Sequence, residues 1–308
     1  MDATADGPTA RAQQAFLSEL IAHGLLIDCG VKGVYGRSDV FERVVEQFDR
    51  YISRFGAPER PTRVRFPPLL NRKHFEQSGY LKSMPQLAGT IHSFCGEQAD
   101  HLALIHDLET GTDYSGRQAM TDVVLTPAGC YPLYPTLRGE QPSEGRIMDV
   151  FSYCFRHEPS IDPARMQMFR MREYVRIGKP ADVISWRSSW LDRGLEMMQG
   201  LGLKVHIALA NDPFFGRAGK VLANTQRTQE LKYELVVPIT SEEHPTAVLS
   251  FNYHQDLFGS LYAIRVDGES AHTGCVGFGM ERVALALLKT HGLDPASWPR
   301  EVREKLEL

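Results

Sequence analysis

From Thr62 onward the chain is a succession of short runs rich in Val, Ile, Phe and Tyr, only occasionally followed by a helical pattern. The runs fall at 63–66, 148–156, 167–176, 204–210, 233–239, 247–253 and 261–266, several with apolar and polar residues alternating. A doubly wound parallel sheet needs a helix after nearly every strand. That architecture is excluded, and an α+β fold with a mostly antiparallel sheet and helices packed on it is expected. Two helices stand out in this region. One spans 180–200, with Pro180 suited to its first turn and Ile184, Trp186, Leu191, Leu195 and Met198 as apolar positions. The other begins near Met280 and ends near Gly292.

The first sixty residues have a different rhythm. Val40, Phe41, Val44, Val45, Phe48, Tyr51, Ile52 and Phe55 recur at three and four behind the N-cap candidate Ser38, and Gly56 and Pro58 stop the pattern. Phe16, Leu20, Ile21 and Leu25 repeat it over 12–27. The expectation is a helical hairpin over 1–60 and a second domain over 61–308.

With 308 residues, 43% of them apolar and 23% charged, the chain can bury a large core and does not read as disordered. Its longest purely apolar run, 283–288, is far short of the roughly 18 residues of a membrane helix, so no membrane partner is expected. Residues 1–11 are small and polar, without the basic-then-apolar order of a secretory leader, which points to a cytoplasmic protein. Five cysteines (Cys29, Cys95, Cys130, Cys154, Cys275) are scattered with no CxxC pair, against a disulfide framework or a local zinc ribbon. A balance of 34 basic and 38 acidic residues, net −4, offers no general field for a polyanion such as tRNA or DNA. There is no internal repeat or low-complexity tract.

Three segments carry chemistry. In the first, Phe155-Arg156-His157-Glu158, a polar loop ending at Arg165 and Met168-Phe169-Arg170-Met171-Arg172-Glu173 suit a hairpin that holds a nucleotide: guanidinium on phosphate, carboxylate on the adenine amino group, ring stacked on the base. Alone, it reads equally as a solvated hairpin with ordinary surface charges. The second, Gly277-Phe278-Gly279-Met280-Glu281-Arg282, opens the last helix with glycines that let backbone approach a ligand and an arginine in the first turn. The dinucleotide fingerprint is excluded, because arginine replaces its third glycine and the segment lies at the wrong end of the chain. The third, Arg65-Phe66-Pro67-Pro68-Leu69-Leu70 running into 75–81 and Met84-Pro85, is an extended strand stopped by proline.

In order, these segments resemble motifs 2, 3 and 1 of the class II aminoacyl-tRNA synthetase core, and the seryl-type core most of all, over roughly 62–292. The truncated core is similar to the amino acid:[carrier protein] ligases, relatives of the atypical zinc-containing seryl-tRNA synthetases. The resemblance implies a class II synthetase-like catalytic domain, a homodimer formed through the segment near Pro67, and activation of a small amino acid, glycine or alanine, by ATP. Transfer to the phosphopantetheine thiol of an acidic carrier protein would follow.

The resemblance assigns catalysis to Arg156 and Arg282, and ATP binding to these two with Glu158, Arg165, Phe169, Lys232, Ala247, Val248 and Ser250. It assigns the amino acid to Glu173 and Asn252. Cys130, Glu173 and Cys275 fall where the zinc ligands lie, although their spacing alone marks the cysteines only as buried free thiols. Two thiolates and a carboxylate leave a fourth tetrahedral position for the substrate's amino group, as in a reactive zinc site. One departure concerns Mg2+: Thr246, Ala247, Val248 and Leu249 offer no carboxylate where the related synthetases carry a magnesium-binding glutamate, leaving Ser250 or Asn252 as substitutes. His92, His157 and His272 read as structural or surface residues.

Between Gly216 and Lys232 the basic residues Arg217, Lys220, Arg227 and Lys232 outnumber the acid Glu230. That surplus is either an ordinary solvated segment or a docking site for the carrier, led by Arg217 and Lys220. Two other readings stay open: a true aminoacyl-tRNA synthetase acting on tRNA, although the short flanks and lack of a basic arm do not favour a tRNA partner, and a non-catalytic paralogue sensing a nucleotide or amino acid.

Overall fold

A computed structural model describes residues 7–308. Its main elements, in chain order, are α1 (Pro8–Ala22), α2 (Asp39–Gly56), β1 (Thr62–Arg65), α3 (Gln98–Thr110), β2 (Arg146–Phe155), β3 (Met168–Gly178), α4 (Pro180–Gly200), β4 (His206–Leu209), α5 (Gly216–Thr228), β5 (Lys232–Val237), β6 (Thr246–Gln255), β7 (His272–Gly279) and α6 (Met280–His291). The seven strands form one sheet in the order β4-β5-β6-β7-β3-β2-β1. Every neighbouring pair is antiparallel except β1 with β2. The mostly antiparallel sheet with packed helices is therefore present.

Three helices cover one face of this sheet. Ser38 caps α2 by accepting from the Phe41 amide at 3.3 Å, and α2 buries Phe41, Val44, Val45, Phe48 and Ile52 in a core shared with α4, α6 and the strands. At its centre Trp190 of α4 meets Tyr174 of β3 and Phe278 of β7, ring centroids 5.1 and 6.0 Å away. A Cβ on Gly194 would stand 2.7 Å from the Phe251 ring, so glycine is what lets α4 lie this close to β6.

Ion pairs tie the sheet to α2 and α6. The buried Arg172 guanidinium grips the buried Asp149 carboxylate of β2 at 3.0 and 2.7 Å and also donates to Asp49 of α2 at 2.9 Å. Arg170 similarly bridges Glu281 of α6, at 2.7 Å, and Glu42 of α2.

The sequence misreads four places, one of them β7, whose residues 272–279 were not read as a strand. The helix expected over 12–27 stops at Ala22, and a hairpin of Leu26–Val31 with Val34–Arg37 stands between α1 and α2. Gly24, Gly30 and Gly33 take φ of 66°, 76° and 77°, conformations cheap only for glycine, and they turn the chain there. The run at 261–266 is split by Ala263 at φ 53° into the end of a helix, Leu257–Tyr262, and a strand, Ile264–Val266. A second sheet of Leu69–Asn71, Gln118–Leu125 and Thr90–Phe94, with α3 beside it in sequence, was not anticipated. Residues 1–6, on which the absence of a leader and the start of the expected hairpin partly rest, lie outside the described residues. No helix among the described residues is long and apolar enough to cross a membrane.

Because Arg172 and Asp149 are 1% and 0% exposed, removing one leaves the other as a buried unpaired charge. Asp149→Ala should destabilise the fold by about 3–5 kcal/mol, read from urea unfolding. A loss below about 1 kcal/mol would mean that Asp49 alone compensates the guanidinium.

Candidate active site

The pleat of β3 builds the floor of the site. Successive side chains of a strand point to opposite faces, so Arg170, Arg172 and Tyr174 meet the helices while Phe169, Met171 and Glu173 meet open space. Two adjoining cavities occupy that open face, and both are lined by Arg156, Met171, Lys232 and Ser250.

The smaller cavity, of about 90 Å³, gathers most of the residues assigned to ATP. Arg156, Glu158 and Phe169 come from the β2–β3 connection and the start of β3, Lys232 from β5, Ala247, Val248 and Ser250 from β6, and Arg282 from the first turn of α6. Arg165 is not in its wall but reaches it through Glu158, at 3.3 Å. The Arg156 guanidinium sits 5.4 Å from the centre of the Phe169 ring and donates to the Pro127 carbonyl at 3.1 Å. Arg282 donates to the carbonyls of Ala164, at 2.9 Å, and Ala247, at 3.1 Å. These arginines bond to neutral carbonyls rather than carboxylates. Burial, then the charges of Arg165 and Arg156, push the Arg282 guanidinium below its usual range, while Glu158 and Glu234 act in the opposite sense.

Gly277 keeps the floor open between the cavities. It pairs with Ser250 on one side and Glu173 on the other, and a Cβ there would meet Ser250 Oγ at 2.9 Å.

The larger cavity, of about 440 Å³, has Cys130, Glu173 and Cys275 in its wall. Their donor atoms all lie within 4.8 Å of one another, and all three residues are buried. Glu173 Oε1 accepts from the Cys130 amide at 3.0 Å. Cys275 accepts from Asn252 Nδ2 at 3.3 Å and lies 3.7 Å from His254 Nε2. Burial and then the Cys275 charge push Glu173 up to about 8. Cys275 is held down chiefly by the hydrogen bond from Cys130, which in turn stays protonated. Two thiols and a carboxylate in a dry pocket repel one another when ionised, and this is a donor set that could hold a soft divalent cation.

Sequence reading missed several lining residues. His254 shares the open face of β6 with Ser250 and Asn252, and that spacing of two was a usable signal; its Nδ1 lies 3.1 Å from Thr273 Oγ1. Glu234, a carboxylate in the smaller cavity, stands opposite Ser250 and 3.2 Å from Lys232. Asp212 takes Lys232 at 2.6 Å and Gln226 of α5 at 2.9 Å, and nothing in the sequence marked it. Lys232 is therefore an inward-facing, paired residue and not part of the surface charge surplus, whereas Arg217 and Lys220 are exposed on α5 and line neither cavity. Among the histidines read as structural, His272 meets the Tyr253 hydroxyl at 2.5 Å.

The fold and the arrangement of its open face define a class II aminoacyl-tRNA synthetase-like domain. The crystal structure of M. kandleri seryl-tRNA synthetase with A. aeolicus tRNASec superposes with a TM-score of 0.79 at 21% identity, over 95% of this chain and 60% of that one. A Naegleria fowleri cytoplasmic serine-tRNA ligase bound to AMP gives 0.70 at 13% identity, over 95% of this chain and 65% of that one. No family model matches the sequence. Two curated relatives from Bradyrhizobium diazoefficiens are much nearer in sequence. Amino acid–[acyl-carrier-protein] ligase 2 is 47% identical, over 94% of this chain and 87% of the relative. Ligase 1 is 42% identical, over 98% and 94%. The chain belongs to the amino acid–[acyl-carrier-protein] ligase family.

Proposed function

We propose that this protein uses ATP to activate a small amino acid, glycine or alanine, as the aminoacyl adenylate, and passes the acyl group to the phosphopantetheine thiol of an acidic carrier protein. One observation carries the reading: a cavity in which Arg156 and Arg282 rest on backbone carbonyls shares walls with a pocket built around Cys130, Glu173 and Cys275. A substrate with a phosphate at one end and an amine at the other fits across the two. In this reading Phe169 stacks on the adenine and Glu158 accepts from its amino group. Arg156, Arg165 and Arg282 hold the phosphates, backbone at Ala247 and Val248 meets the nucleotide, and Lys232, paired with Asp212 and Glu234, adds a fourth cation.

Catalysis is then positioning and charge neutralisation. The amino acid's carboxylate attacks the α-phosphorus and pyrophosphate leaves, while the arginines balance the charge that develops. No protein nucleophile is needed. Zn2+ held by Cys130, Glu173 and Cys275 would take the α-amino group as its remaining ligand and favour small side chains. Asn252, bonded to Cys275, orients that thiolate, and Glu173 closes the amino-acid pocket from below. Glu234, opposite Ser250 and paired with Lys232, would supply Mg2+ with the carboxylate that residues 246–249 lack.

The chain would act as a homodimer. The segment near Pro67 would form the contact, and helix α3, which buries only Asp107 and exposes Leu102 and Leu108, offers further apolar surface that a second copy could cover. The carrier would approach over α5, whose Leu222, Thr225 and Gln226 line the larger cavity while Arg217 and Lys220 face solvent. A net charge of −4 supports a protein acceptor over tRNA in a cytoplasmic setting.

Pyrophosphate exchange across a panel of amino acids tests the reading directly, and a protein that charges bulk tRNA but no carrier would overturn it. Arg156→Ala and Arg282→Ala should each cut exchange at least about tenfold, the loss of one charge-assisted phosphate contact; near-normal exchange in both would move the nucleotide elsewhere. Metal analysis should find about one zinc per chain, reduced in Cys275→Ala, and protein that is active without zinc would remove the metal from the account. Arg217→Glu with Lys220→Glu should slow carrier aminoacylation, most at low salt, and leave exchange intact. Loss of both steps together would assign these residues to the fold.

A further inference from the structure

Tyr80 opens a one-turn helix, Tyr80–Ser83, after Gly79 at φ 77°. Its ring is wedged against Phe75 and Tyr131, with centroids 5.4 and 5.7 Å away, and only 4% of the residue is exposed. Its hydroxyl has no hydrogen-bond partner among the described residues. A buried hydroxyl without a partner costs free energy and is rare in folded proteins, so one that lines a cavity points to a ligand that completes it. Tyr80 lines the larger cavity together with Arg156, Cys130 and Glu173.

Its position between two ends of that cavity is the second observation. Tyr131, against which the ring packs, follows Cys130 directly and joins Tyr80 to the cysteine–glutamate end. Arg156, Asp212 and Lys232 line the same cavity and mark its arginine end. An aminoacyl adenylate lying with its amine at Cys130, Glu173 and Cys275 and its phosphate at Arg156 has its acyl carbonyl between the two.

We propose that Tyr80 is a catalytic residue of the transfer step, its hydroxyl donating to the acyl carbonyl oxygen of the adenylate. The assignment rests on the function proposed above. Burial holds the phenol up to about 12, so it remains a donor at neutral pH. In that step the thiol sulfur forms a bond to the acyl carbon and the carbonyl oxygen gains negative charge, which the phenol stabilises. The bond from that carbon to the phosphate ester oxygen then breaks, AMP leaves with the electron pair, and the thiol proton passes to the departing phosphate and on to water. Neither oxidant nor reductant is involved. Adenylate formation builds no charge on that oxygen, since the carboxylate is already an anion and loses charge as it attacks phosphorus. The hydroxyl therefore matters more in the second step than in the first.

The test compares wild type with Tyr80→Phe, which keeps the ring and its packing. Exchange is measured with the amino acid that the wild type activates, and single-turnover transfer from the bound adenylate is measured with free pantetheine as the thiol. Transfer should slow at least about tenfold while exchange changes by less than about threefold. The melting temperature of the unliganded variant should be unchanged or higher, because the hydroxyl it lacks had no partner. Unaltered transfer overturns the proposal, and so does an equal fall in both steps, which would place the hydroxyl in substrate binding. A lower melting temperature with both rates reduced would make it structural. If the wild type itself shows neither exchange nor transfer, the functional reading fails and this proposal with it, whatever the variant does.

Discussion

The alternation of β3 is the constraint on which everything else rests. Its even-numbered residues Arg170, Arg172 and Tyr174 reach through the core to α2, α4 and α6, and its odd-numbered residues Phe169, Met171 and Glu173 line the cavities. A slip of one residue in the pairing of β3 with β2 or β7 would exchange the two sets, putting guanidinium groups into the cavity floor and Met171 or Glu173 against Asp149. The buried pair of Arg172 with Asp149 opposes such a slip, because in any other register both charges lose their partner in a dry interior. The ion pairs therefore specify the register, and the register aims the site.

The two faces of the strand also treat arginine differently. On the helix side Arg170 and Arg172 each meet two carboxylates, so their charge is consumed by the fold. On the cavity side Arg156 and Arg282 are held in place by carbonyl oxygens, which orient a guanidinium without neutralising it. A chain with net negative charge can thus keep two guanidinium groups free of direct carboxylate bonds in one cavity, even though Glu158 and Glu234 share its wall. Lys232 is the intermediate case, paired with Asp212 and Glu234 at the boundary of the two cavities. Through Asp212 it is also bonded to Gln226, so the position of α5 and the position of a cavity cation are set by one carboxylate.

What could be read from the sequence was what is local. Helix α4 follows from Pro180 and the spacing of its apolar residues, and β5 and β6 follow from short runs bounded by polar loops, whereas β7, with its three glycines, was not read as a strand. The ATP-assigned residues were legible as a set only through the joint resemblance of the segments, since each segment alone reads as an ordinary turn with surface charges. The hairpin after α1 was not legible, since Leu25 and Ile27 continue the helical rhythm and only the conformation of Gly24 breaks it. Nor was α3, whose apolar residues form no buried stripe.

The cysteine–glutamate cluster shows where such reading stops for a physical reason. Cys130 and Glu173 are 43 residues apart and Cys275 lies beyond three further strands of the main sheet. No periodicity joins them, because what brings them together is lateral pairing: Val175 opposite Cys275, Asn252 opposite Cys275 on its other side, and the loop at Gly129 laid across Glu173. Each contact depends on strand order, a property of the whole sheet and not of any window of sequence. The same holds for Tyr80, which lies in a short turn of the chain and acquires an environment only when Tyr131 is folded against it. Residues of this kind are found by asking which polar atoms the finished fold leaves without a partner.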